Sequence, residues 1–375
     1  MPRRVGPFIC RMVILSLATS PIACAKADAD VNAQTMQKAI DKGLNYLRSA
    51  QKKDGSWSEY PAITAVAVSA FLQNGRTEQN EPAVARGVKF LLRFAKPSGA
   101  ICIDGNPGTT MPNYNTSLCV VALMQTKNPA YKPTIEKART YLVNSQFAEG
   151  QGIKPANPMY GGIGYGDDPG DETHPDLSNL QHALETLHAC GVSSSDPVFK
   201  KALTYLQRVQ NRRESNDQAW AKQGPNDGGF LYESQGGTKT VSGKHTSYGA
   251  MTFAGLKGYK YCGLAPSDPR VQAAWSWMLA NYSVTEHPRM GTTSLYYYYR
   301  AMAMTLDAYG QRVITDKSGK QHYWARELAE QLVTRQHPDG SWYSKNPQYW
   351  ENRPDLITPY GLIILAFCRR NGAGA

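Results

Sequence analysis

The chain has 375 residues, a formal charge of +11 and 41% hydrophobic residues. That length exceeds the roughly 250–300 residues at which a single core stops growing, so several domains or a repeat architecture are required. The 41 basic and 30 acidic residues are interspersed, with no basic run and no nucleic-acid-binding module, and a nucleic-acid partner is not expected.

Residues 1–27 carry Arg3, Arg4 and Arg11, then the apolar run Met12–Ala23, then small residues at Ala23, Ala25 and Ala27. This is the layout of a secretory signal peptide, with cleavage expected after Ala25 or Ala27. Cys24 raises a lipoprotein alternative, against which Pro21 stands where a branched aliphatic residue is wanted. An exported protein, periplasmic or secreted, is expected. Loss of the segment removes three arginines and Lys26 but no acid, so +11 falls to +7. No later stretch reaches 18 uninterrupted apolar residues, so no transmembrane segment is expected in the mature chain. Five cysteines follow Cys24, an odd number and no disulfide framework, although Cys102 and Cys119 could pair.

Past a short polar entry, Met36–Ala50 sets Met36, Ile40, Leu44 and Leu47 at helical spacing. The corner Gln51-Lys-Lys-Asp-Gly-Ser-Trp57 follows. Its Asp-Gly pair makes a tight turn in which glycine accepts positive φ. The Gln can bond backbone groups left open at a helix end, and the Trp supplies a large apolar anchor. Ala62–Leu72 is then apolar nearly all round. An amphipathic helix followed by a buried one is the unit.

The unit recurs as Ala83–Phe94 with Thr116–Met124, then Ile135–Gln146 with Leu177–Ala189 across the Gly-rich excursion 150–175. A fourth pair, Phe199–Gln210 and Ser247–Tyr261, spans the excursion 211–244. Val271–Tyr282 with Thr293–Tyr309 and Tyr323–Gln336 with Leu356–Arg369 complete six hairpins. The last contains the corner again, as Gln336-His-Pro-Asp-Gly-Ser-Trp342. The second helices often open on Thr or Ser, which suits an N-cap.

Six amphipathic helices outside six apolar ones predict an all-α (α/α)6 barrel, a single domain over 28–375 with repeats over about 33–370. An open HEAT- or TPR-like solenoid is the alternative. The long, unequal connections fall between outer and inner helices and would crowd one mouth of a barrel. With its Q-x-x-D-G-S-W corners and six hairpins, the chain resembles the prenyltransferase and squalene–hopene cyclase repeat family. The resemblance implies an α/α toroid.

Cyclases of that family protonate an alkene from an Asp-x-Asp-Asp motif at the start of an inner helix. The matching place here is Asp176-Leu177-Ser178-Asn179. Asp176 keeps the first acid, but Ser178 stands at the middle position, which by resemblance supplies the proton. A serine cannot do so. The family's prenyltransferases hold zinc through an Asp, a Cys and a His, and Ser247–Met251 has none of them. His245 and Cys262 lie about 25 Å apart along one helix at 1.5 Å per residue. The thioester Cys-Gly-Glu-Gln of other toroids is absent. No metal or cofactor is expected.

What remains is an acidic, aromatic mouth. Tyr165 is followed by Asp167, Asp168, Asp171, Glu172, His174 and Asp176, and Asp227-Gly-Gly-Phe-Leu-Tyr232-Glu233 echoes the Gly-Gly-x-x-Tyr phrase. Asp176, His174 and Glu233 are the candidate catalytic residues. Tyr165, Tyr232, His245, Tyr248, Tyr296, Trp350 and Tyr360 are the candidate ligand contacts, and Phe253 and Trp342 are expected to add to the aromatic wall. Of Tyr296–Tyr299, one or two should face the cavity, because successive helical positions differ by about 100°. The expected role is to hold an apolar or isoprenoid-like ligand, or a partner segment, in this mouth, in a protein expected to be a monomer. A divergent isoprenoid enzyme using Asp176 is one alternative. A carbohydrate-active enzyme with carboxylates facing across the barrel is the other.

Overall fold

A computed structural model describes residues 32–105, 110–166, 174–240 and 243–374. The signal-peptide expectation for residues 1–27 lies outside them. In chain order the hairpins are α1 (Ala33–Ala50) with α2 (Pro61–Gln73), α3 (Pro82–Leu92) with α4 (Pro112–Gln125), and α5 (Lys132–Asn144) with α6 (Leu177–Ala189). They continue as α7 (Pro197–Arg208) with α8 (Gly249–Tyr261), α9 (Pro269–Ala280) with α10 (Leu295–Ala308), and α11 (Trp324–Arg335) with α12 (Pro354–Arg370).

The two helices of a unit differ in what they must hide. α1 buries Met36, Ala39, Ile40, Gly43, Leu44 and Leu47, a single stripe, whereas α2 buries every residue from Pro61 to Phe71. A helix with one apolar stripe belongs outside, and one with no polar face belongs inside. The inner helices form a closed ring: α2 packs on α4, α4 on α6, α6 on α8, α8 on α10, α10 on α12, and α12 returns to α2. Contacts of α1 with α11 and α12 seal the outer layer. The molecule is the closed α/α toroid, not the open solenoid. Among the described residues no helix is long and apolar enough to cross a membrane.

The recurring corner shows its mechanics. Gln51 Nε2 donates to the carbonyls of Gly55 and of Ala83 in α3, both at 2.9 Å. Gln336 Nε2 donates to Gly340 at 2.9 Å and to Ala39 in α1 at 2.8 Å, so the last corner is tied to the first helix. Trp57 and Trp342 donate their indole N–H to Leu47 and Leu332, each at 2.8 Å. Two further corners obey the same rule. Gln146 bonds Gly161 and Val198, and Gln210 bonds Gly228 and Arg270. In these the glycine follows the glutamine by 15 and 18 residues instead of 4. At Gly55, Gly161, Gly228 and Gly340 φ is positive, and an added Cβ would lie 1.9–2.5 Å from a carbonyl oxygen of the next outer helix. Only glycine fits there.

Two expectations are corrected. Thr and Ser do not cap the inner helices: Pro61, Pro112 and Pro354 open three of them, and Ser294 makes no side-chain cap. Proline in a first turn forfeits no helical hydrogen bond. Open N–H groups are met instead by residues from elsewhere in the ring. Ala62 donates to Asn115 Oδ1 at 2.7 Å, Ala250 to His287 Nε2 at 2.9 Å, and Leu295 and Tyr296 to Glu351 at 2.9 and 2.8 Å. Nor does a disulfide join Cys102 and Cys119, which are buried thiols.

Candidate functional site

All six inner helices run the same way, so their N-terminal turns converge on one mouth, where a cavity of about 410 Å³ opens. That is the size of a small-molecule site. The inner helices line it with their second to fourth residues: Ala62 and Ile63, Tyr114, Ser178, Ala250 and Met251, Tyr297, Leu356 and Ile357. One register therefore selects the wall in each repeat. The excursions add Tyr165, Tyr232 and Lys239, and the last corner loop adds Tyr349, Trp350 and Glu351. Eight tyrosines face this space with Met111, Met251 and Met290, which makes the wall apolar but studded with phenol hydroxyls.

Five of the expected ligand contacts line it: Tyr165, Tyr232, Tyr248, Trp350 and Tyr360. Tyr296 does not. It is buried against Tyr299, and its neighbour Tyr297 takes the cavity position, bonded through its hydroxyl to Ser178 at 2.8 Å and Gln181 at 3.0 Å. His245 is also displaced from the expected place. Its ring stacks on Trp220 at 5.1 Å and its Nδ1 meets the Gly236 carbonyl at 2.9 Å, so it holds the second excursion together. Trp342 lies in the corner against Gly43 and Gly361, and Phe253 packs on Tyr298; neither lines the cavity.

The candidate acids separate in the same way. His174 is exposed and outside the cavity lining, and Asp167, Asp168, Asp171 and Glu172 lie outside the described residues. Asp176 is 2% exposed and caps α6, accepting from Asn179 N at 2.8 Å and Asn179 Nδ2 at 2.6 Å. Burial pushes its carboxyl up to about 6, with the nearby Glu233 charge adding, against the pull of Asn179 and the Tyr232 hydroxyl. Asp176 thus stands behind the Tyr165–Tyr232 wall. Glu233 faces Lys239 at 3.7 Å, and Lys239 lies over the Tyr232 ring. Ser178, where the cyclase resemblance places the proton donor, does line the cavity.

Among the described residues Glu351 is the carboxylate that lines the space directly, and no sequence pattern marks it. Its oxygens accept from Leu295, Tyr296 and Tyr297 N–H at the start of α10. Burial pushes it up to about 7 while those three amides pull it down. His287, also in the wall, is fixed as neutral imidazole: Nε2 accepts from Ala250, which leaves the proton on Nδ1 for the Thr293 carbonyl at 2.9 Å. The same burial lowers its pKa to about 4.

No protein-family model matches the chain. Among solved structures it is similar to the type II terpene cyclase MstE from Scytonema, with TM-score 0.52 and 13% identity over 90% of this chain and 98% of the cyclase. A variant of that cyclase is known in complex with geranylgeranyl dihydroxybenzoate. Glycosyl hydrolase family 88 from Bacteroides vulgatus gives TM-score 0.56 and 10% identity over 91% of this chain and 99% of the hydrolase. A possible GH105 member from Klebsiella pneumoniae gives 0.51 and 10% over 96% and 98%. At these identities the likeness is one of fold: the chain is an α/α toroid of the kind found in terpenoid cyclases and in these hydrolases.

Proposed function

We propose that this chain is an exported toroid protein that binds an apolar, isoprenoid-like ligand in the cavity at its mouth. One observation carries the proposal: the wall is aromatic and thioether, and the acid position of the cyclase resemblance is a serine, Ser178, bonded to Tyr297. Phenol and indole faces suit a polyene chain, and methionines adapt to its bends. Glu351, the wall's own carboxylate, holds its proton to about pH 7, but both its oxygens accept backbone N–H groups and tie it to the start of α10. The ligand carried by the cyclase with this fold, a geranylgeranyl compound, is of the proposed class.

The first experiment is mass spectrometry of what the purified chain retains or transforms in a lipid extract of its native host. A retained, unchanged isoprenoid is the expected result. Trp350 is 41% exposed at the rim, so its fluorescence should quench on titration with geranylgeraniol. Trp350→Ala should weaken binding about tenfold, on the scale of one aromatic contact worth about 1.5 kcal/mol. A blank extract and a flat titration together would remove the proposal.

A second function has one observation in its favour. Asp176 holds its proton to about pH 6, and Tyr232, whose hydroxyl bonds Asp176, is a residue of the cavity wall. A proton passing from Asp176 through Tyr232 would make the protein a divergent isoprenoid enzyme. A cyclised product in the extract, lost in Asp176→Asn, is the signature. If Asp176→Asn turns over unchanged, this second function fails. The carbohydrate alternative would need two carboxylates facing each other across the cavity, and Glu351 is the carboxylate the wall presents among the described residues.

A further inference from the structure

A second cavity, of about 240 Å³, lies at the opposite end of the inner ring. It is built from the later turns of α2, α4, α6, α10 and α12, and is independent of the mouth and of the function proposed for it. Its apolar walls come from Val66, Leu118, Met304, Ile363 and Phe367. Arg300, on the second turn of α10, lines this space together with Ser69, Gln73, Gln125, Glu185 and Arg370.

Arg300 is 5% exposed, and no carboxylate among the described residues lies within ion-pair distance of it. Its Nε is buried with no hydrogen-bond partner, and its one recorded contact with a polarised group is the face of Tyr360 at 5.3 Å. The two other charged groups in the lining are already matched. Glu185 is paired with Lys257 at 2.8 Å, and Arg370 at the rim with Asp307 at 3.2 Å. The side-chain amides of Gln73 and Gln125 complete the polar part of the lining, each with a buried Oε1 that has no partner.

An arginine cannot shed its proton to escape burial, so its charge must be balanced from outside the fold. The C-terminal carbonyls of its own helix do not balance it. Arg300 stands eight residues before the end of α10, about 12 Å along the axis, and helix-end fields fade within one turn. A guanidinium offers a fork of N–H donors that matches a carboxylate, and a half-turn of either glutamine amide would add donors beside it. One unmatched positive charge among aliphatic walls fits one negative charge on a short apolar body.

We propose that this second cavity is an anion site in which Arg300 holds the carboxylate of a small organic acid. The test is thermal melting of the purified chain in pentanoate, acetate, phosphate or chloride at constant ionic strength. Pentanoate should raise the Tm of the wild type saturably, and more than acetate, because the walls add apolar contact to the charge. Arg300→Gln should show no rise, and Arg300→Lys should need at least tenfold more pentanoate. Exposed Arg312→Gln should respond as the wild type does. Ser69→Met, which fills the cavity from α2 while leaving Arg300 in place, should abolish the response even if Arg300→Gln does not fold. The site is overturned if pentanoate gives the wild type no saturable rise, if the rise persists in Arg300→Gln or Ser69→Met, or if phosphate alone produces it.

Discussion

At the scale of single residues, the energetics of the mouth are set by which titratable groups are buried and in which form. Asp176 has its pKa raised by burial from 3.8 to about 6. A group that binds its proton more tightly in the folded state stabilises the fold below its unfolded pKa and loses that contribution as pH rises through the folded one. Between about pH 4 and above pH 6 the chain should therefore lose up to about 3 kcal/mol from Asp176, at about 1.4 kcal/mol per unit. His287 acts in the opposite sense. Its pKa is lowered from 6.5 to about 4, so its contribution is lost as pH falls through that window. The two slopes overlap and partly cancel in the wild type. Comparing urea midpoints of the wild type and Asp176→Asn at pH 4 and pH 7.5 separates them, because His287 is common to both. The wild type should lose ground to the variant on going to pH 7.5. A difference that stays flat would mean Asp176 is ionised throughout. At this scale the sequence was half legible. Tyr165 and Tyr232 were found through the repeated Gly-Gly-x-x-Tyr phrase, and Tyr248, Trp350 and Tyr360 as aromatics on the loops and helices of the expected mouth, but Tyr60, Tyr114 and Glu351 were not found. The second-to-fourth-residue register of the inner helices would have marked Tyr114, but it admits both Tyr296 and Tyr297, and only packing against Tyr299 turns Tyr296 away from the cavity. Nothing local would have marked Glu351, since its partners are some 55 residues away.

At the scale of elements, the corner decides how one hairpin meets the next, and its glycines are where that contact is tightest. Gly43 sits inside α1 with no positive φ, where alanine ordinarily stabilises a helix by about 0.5–1 kcal/mol. Here an added Cβ would stand 2.7 Å from the Trp342 ring and 3.0 Å from Leu362. Gly43→Ala should instead cost about 1–3 kcal/mol, the usual penalty for overpacking. Gly150→Ala, where a Cβ meets nothing within 4 Å, should be neutral in the same urea titration. Equal behaviour of the two would show that Trp342 is not wedged into α1. Two corners were legible because glutamine and glycine stand four residues apart. The other two were hidden by the excursions between Gln146 and Gly161 and between Gln210 and Gly228, which lengthen the loop while leaving both hydrogen bonds intact. A loop insertion costs little when its ends are pinned, so spacing decays while the contact survives.

At the scale of the molecule, the question is whether six units behave as a row or as a ring. The sequence predicted the helices within a few residues, because each outer helix repeats an apolar stripe and each inner helix has none to spare. Closure was an inference from unequal loops, since no stretch of sequence records which helix α12 will meet. The structure places α12 against α2 and α1, with Gln336 bonded to Ala39 across the seam. In a row, removing the last hairpin subtracts one unit and one interface and leaves the rest folded. In this ring it strips the partner from α10 and from α2 at once, and exposes on both sides of the gap the apolar faces that α12 had covered. A chain ending at residue 322 should therefore lose cooperative melting and associate, as read by circular dichroism and size-exclusion chromatography. Gln336→Ala probes the seam more gently. It leaves the carbonyls of Ala39 and Gly340 without their donor, which should cost about 1–3 kcal/mol while the melt stays a single transition. Gln51→Ala makes the same local loss away from the seam, since its two acceptors, Gly55 and Ala83, belong to consecutive hairpins. If the seam were merely a contact between two ends, Gln336→Ala would open it and produce a second, earlier transition that Gln51→Ala lacks. A closed ring makes the two variants alike, because every unit then has two neighbours and no interface is terminal.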